Sequence, residues 1–141
     1  MRILWGCLAA AVIAPLVGLF LLIMIPEWRD NARLEAFYER VLDYPLPPNT
    51  QDAFPGDRDV TFGKNLAMGS GSYCDYRVRL TLRTALTPQE IHRHYDDAFI
   101  AGAETRAMIT LHFADEGPAG GHRVIVEVYD SHDWDGDWRC Y

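Results

Sequence analysis

Four aspartates, a histidine and two tryptophans crowd the last stretch of the chain, Asp130, Ser131, His132, Asp133, Trp134, Asp135, Gly136, Asp137, Trp138, Arg139 and Cys140. Carboxylates at alternate positions around a turn-forming glycine can wrap a hard cation with oxygen ligands, which makes Asp133, Asp135 and Asp137 a candidate Ca²⁺ site. An EF-hand does not fit. Ser131, Asp133, Asp135 and Gly136 suit its early positions, but its closing bidentate glutamate would fall beyond Tyr141. The competing reading is an acidic, turn-rich terminus held by a disulfide. In that case Trp134 and Trp138 either present a binding surface or cover a sheet edge.

Asp133-x-Asp135-Gly136-Asp137 followed by Cys140 resembles the short motif of Excalibur-type extracellular calcium-binding domains. The resemblance spans Asp133 to Cys140 and lacks that motif's second glycine and its Cys-Glu ending. It implies calcium as ligand and an extracellular setting. Cys74 and Cys140 are the two cysteines outside the apolar N-terminal stretch, and an even pair there predicts one disulfide and an oxidising compartment. Cys7 lies inside that stretch and reads as a small hydrophobe, or as an acylation site in a eukaryotic host.

The remaining chemistry is sparse. His92 and His94 lie two apart on a predicted helix and so face different ways, a poor metal pair. His94 is expected as a packed, hydrogen-bonded histidine and His112 as a surface residue opposite Arg123. Gly69-Ser70-Gly71-Ser72 invites a phosphate-loop reading, but Gly63-Lys64-Asn65 lacks the Gly-Lys-Ser/Thr ending, and the stretch reads as a flexible turn. No HExxH, CxxC or Gly-x-Ser-x-Gly pattern occurs. The sequence therefore predicts no catalytic residue and no cofactor other than the calcium alternative.

These residues must be positioned by elements, and the first is an apolar run from Ile3 to Ile25 without a charged side chain, bracketed by Trp5 and Trp28. At about 1.5 Å per residue it reaches roughly 35 Å, enough to cross a hydrocarbon core of about 30 Å. No small-x-small cleavage site follows, because Ile25 leads into Pro26, Glu27 and Trp28. Leu4-Trp5-Gly6-Cys7 is a poor lipobox. Residues 1–26 are thus expected to be an uncleaved transmembrane signal anchor, with the lipid bilayer as partner. Gly6, Ala10, Ala14 and Gly18 recur every fourth residue, a small-residue face that suits homodimerisation through the span. Pro15 is expected to bend it.

All 20 acidic residues follow Pro26 with 12 of the 13 basic ones, leaving that part at a formal charge of minus eight. A phosphate backbone needs a basic face, so nucleic acid is not an expected partner. Arg29, Arg33 and Arg40 outnumber Arg2 on the other side, which favours a cytoplasmic C-terminal domain by the positive-inside rule. The cysteine pair argues the reverse. A short basic N-terminus normally stays inside and long domains override the rule, so the expected localisation is the cell membrane, single-pass, with the C-terminal domain extracytoplasmic.

Beyond the span, Leu34, Phe37, Tyr38, Val41 and Leu42 recur at helical spacing, so residues 27–43 should form an amphipathic juxtamembrane helix continuing the anchor. Residues 44–72, rich in proline and glycine, should run as a connecting loop with at most one short strand at Asp59–Phe62. Residues 73–141 should form an α+β domain. Alternation over Cys74–Leu82, Ala107–Phe113 and Val124–Val128 predicts three strands. Thr87-Pro88-Gln89-Glu90 is a capping box opening a helix that buries Ile91, Tyr95, Ala98 and Phe99 and ends at Gly102. The result is a β-α-β-β unit, a three- or four-stranded mostly antiparallel sheet with one helix packed on it. A Cys74–Cys140 bond requires the last strand to lie beside the first, giving the order first, third, second. The functional expectation is a membrane-anchored cell-envelope accessory or binding domain without enzymatic activity, its envelope protein partner unknown. The alternative is a small membrane-tethered enzyme or a calcium-binding module.

Overall fold

The structure is a computed structural model that describes residues 2–53, 59–65, 73–102, 105–117, 121–133 and 136–140. Its N-terminal element, α1 (Arg2–Asp43), is one helix of 42 residues that runs through both Pro15 and Pro26. From Ala11 on, its apolar part has a mean hydropathy of 2.1 with no residue buried, and the helix is long and apolar enough to span a membrane. The amphipathic stretch expected after Pro26 is its continuation. Phe37 and Val41 are buried in the core, and Leu34, Tyr38 and Leu42 pack against it.

Among the described residues five antiparallel strands follow: β1 (Thr50–Asp52), β2 (Asp59–Asn65), β3 (Tyr73–Thr84), β4 (Met108–Gly117) and β5 (Gly121–Asp133). They occupy four positions in the sheet. β3 pairs with β5, β5 with β4, and β1 and β2 share the outer edge of β3. The fold is α+β, and the three long strands stand in the order expected. The 44–72 connection, expected to hold at most one strand, holds two among its described residues, because Thr50–Asp52 also finds the β3 edge, where the Thr50 hydroxyl donates to Thr84 Oγ1 at 2.9 Å.

Alternation fixes which face is buried. Cys74, Tyr76, Val78, Leu80 and Leu82 of β3 and Val124, Val126 and Val128 of β5 turn inward, under the distal half of α1 and under α2 (Pro88–Asp96). The outer face carries Arg77 and Arg79, which converge on Glu127. His112 pairs with Ile125, not Arg123, because β4 and β5 continue past the expected hairpin ends and a bulge separates Ala114 from Gly117.

The capping box of α2 forms as its sequence predicts. Glu90 N–H donates to the Thr87 hydroxyl at 3.4 Å, and the Glu90 carboxylate accepts from Thr87 N–H at 2.8 Å. Those bonds from Thr87 hold the Glu90 carboxyl below its ordinary range. The helix stops at Asp96, well before Gly102. Residues 98–100 then run extended, so Ala98 and Ile100 are buried while Phe99 is 69% exposed. Helical periodicity had assigned Phe99 to the core, and the early stop reverses its face. Gly102 serves close approach instead. A Cβ there would meet the buried Asp130 carboxylate at 2.2 Å.

Candidate functional site

The inward series of β5 does not stop at its valines. Two further steps along the same face bring Asp130 and His132 into the interior, and β3 contributes Tyr76 and Cys74 at the matching end. Above them α1 supplies Asp30, which stands on the same helical stripe as Leu34, Phe37 and Val41 and is fully buried. Three inward faces thus meet in a polar cluster at the end of the sheet nearest the apolar part of α1.

Asp30 is its centre. Its Oδ1 accepts from the Tyr76 hydroxyl at 3.2 Å and from Arg33 Nη1 at 3.4 Å. Burial, then the neighbouring Asp30 carboxylate, push the Tyr76 hydroxyl well above the ordinary tyrosine range, so it stays a donor. Its ring lies 4.6 Å from the His132 ring, tilted by 33°. Both His132 nitrogens are buried and have no hydrogen-bond partner among the described residues. An unmet buried polar group costs about 1–3 kcal/mol, and ring stacking worth about 0.5–1.5 kcal/mol offsets part of that.

The C-terminal turn closes the cluster. Gly136 adopts a φ of 107°, open to glycine and strained for other residues, which folds the chain back onto Pro26. Asp137 is thereby buried. Its carboxylate accepts from Arg139 N–H at 2.8 Å and from Arg139 Nε at 3.0 Å to each oxygen. Burial works to raise the Asp137 pKa, but the Arg139 bonds and charge outweigh it and hold the carboxyl low, with Asp30 close enough to contribute. The pairing in turn raises Arg139. The guanidinium also reaches α1, donating from Nη1 to Asn31 Oδ1 at 2.8 Å and from Nη2 to the Glu27 carbonyl at 3.2 Å. Arg139 therefore clamps the terminal 3-10 turn (Trp138–Cys140) to the helix.

Of the sequence-derived calcium ligands, Asp133 is exposed at the end of β5, Asp137 is buried in the Arg139 fork, and Asp135 lies outside the described residues, as does Trp134. A second donor set escaped sequence reasoning. Asp30, Cys74 and His132 each turn one ligating atom to within 4.8 Å of the others. Nitrogen, sulfur and oxygen together suit a borderline cation. Yet Cys74 has an interaction of its own, and Asp30 is held by Tyr76 and Arg33, so the present geometry is that of a packed polar lock. The side chain of Cys140 lies outside the described residues.

The histidines on α2 are structural or exposed. His94 sits between Tyr44 and Tyr95 with Nε2 2.9 Å from the Pro45 carbonyl, and His92 is exposed beside Phe113. On the small-residue face of α1, Ala14 is exposed and Gly18 has nothing within 4 Å of its would-be Cβ, while the surroundings of Gly6 and Ala10 lie outside the described residues. Shallow depressions lie elsewhere among the described residues. One, of about 340 Å³, is lined by Arg40, Tyr44, Phe99 and Ile100, and another, of about 330 Å³, by Tyr95, Arg106 and Met108. Neither opens on the polar cluster. No protein family matches the chain, and neither does any curated protein or solved structure.

Proposed function

We propose that the chain is a single-pass membrane protein whose acidic α+β domain acts at an extracytoplasmic face as a binding or accessory module. The observation that carries this reading is the continuity of α1. Its apolar part is unburied, and its distal turns are part of the domain core through Asp30, Phe37 and Val41. An anchor is favoured over a cleaved leader on the same ground. Cleavage past Asp30 would remove the centre of the polar lock, and the stretch before it offers Pro26 and Glu27 in place of small residues.

A binding role is favoured over catalysis because the polar groups that could do chemistry are enclosed rather than presented to a substrate. Asp30, His132 and Asp137 are each at most 4% exposed. We take the partner of the engaged Cys74 to be Cys140. In support, the turn carrying Cys140 contacts β2, whose Lys64 pairs with Cys74. Closing that loop stabilises the domain by about 4 kcal/mol in the chain-entropy model. A reporter that is active only outside the cytoplasm, fused after Tyr141, tests the orientation. Activity is expected, and activity of the matching cytoplasmic reporter instead would sink both the orientation and the disulfide.

A further inference from the structure

Trp138 is 60% exposed and Trp28 is 53% exposed, unusual for indoles unless something covers them. The Arg139 clamp sets their relative height. It bonds Glu27 and Asn31, and Gly136 lies against Pro26, so the turn bearing Trp138 rests on the segment of α1 that bears Trp28. That segment directly follows the apolar run ending at Ile25. Pro26 to Asn31 rises about 7.5 Å along the helix. The headgroup zone on one side of a bilayer is about 5–7 Å deep.

We infer that Trp138 is a second interfacial anchor, inserted beside Trp28 at the headgroup–acyl boundary of the bilayer that α1 crosses, with Arg139 as the residue that positions it. This rests on the membrane reading above. An indole suits that boundary because its ring is apolar and its N–H stays near water. Charge cannot do the same work, since the chain beyond Pro26 carries a formal minus eight and is repelled by anionic lipid. The domain is thereby held against the membrane at two points, α1 and the C-terminal turn, and cannot swing about the helix axis.

The test uses the full chain in phosphatidylcholine nanodiscs, with lipid brominated high on the acyl chain as a contact quencher. One variant keeps Trp138 alone, through Trp5→Phe, Trp28→Phe and Trp134→Phe. A companion keeps Trp28 alone. Trp138 should be quenched to a similar extent as Trp28, and Arg139→Ala should abolish the quenching of Trp138 while leaving that of Trp28. Quenching of Trp28 with none of Trp138 overturns the inference and leaves the membrane reading standing. Quenching of neither overturns both.

Discussion

At the residue scale, the molecule depends on one guanidinium. Arg139 neutralises a fully buried carboxylate and reaches two groups on α1, so its loss removes the cation that holds the buried Asp137 charge. Arg139→Ala should cost about 3 kcal/mol in thermal or denaturant unfolding. Arg139→Lys should recover little of it, because an ammonium cannot reproduce the fork. The same pair sets an acid limit. Asp137 is held below its ordinary value, so its contribution is fully present above the unfolded aspartate pKa of about 3.9 and is lost as pH falls through the lower folded value. The difference in melting temperature between the native chain and Asp137→Asn should therefore be constant near neutrality and shrink below about pH 4. Melting curves across that range check it.

Among elements, α1 has two solvents. From Ala11 to Ile23 its side chains are exposed, while Phe37 on its distal part is fully buried against Tyr76, with ring centroids 6.4 Å apart. Phe37→Ala should destabilise the domain by about 3–5 kcal/mol. Phe99→Ser should change stability by less than about 0.5 kcal/mol, because that side chain already faces water. This pair also marks what the sequence made legible. Alternation in β3 and β5 identified the core face correctly, since a strand's period of two admits one assignment once a face is buried, but Asp75, assigned to the polar face, is buried as well. Phe99 misled because helical spacing was extended past Asp96, where the α2 helix gives way to extended chain and the period changes from 3.6 to 2. The polar cluster was half legible. His132 continues the Val124, Val126, Val128 series, and Asp30 precedes Leu34 on its stripe, but a polar residue on an apolar face reads as the end of the pattern rather than its continuation. That Asp137 would turn to Arg139 depends on the fold-back at Gly136, which composition alone leaves open.

On the scale of the whole molecule, the apolar helix and the domain are one structural unit. The helix that is apolar enough to cross a membrane is the helix on which the core is built, and the polar lock sits at the junction. On the membrane reading proposed above, such an arrangement would transmit orientation from the bilayer to the sheet, which a tethered domain on a loose linker would not do. Hydrogen–deuterium exchange of the full chain in nanodiscs tests this most directly, because lipid protects the proximal amides and the core protects the distal ones. Slow exchange running without a break from Ala11 to Leu42 is the predicted result. Rapid exchange confined to Glu27–Asn31, separating two protected blocks, would contradict it and mark the domain as flexibly tethered.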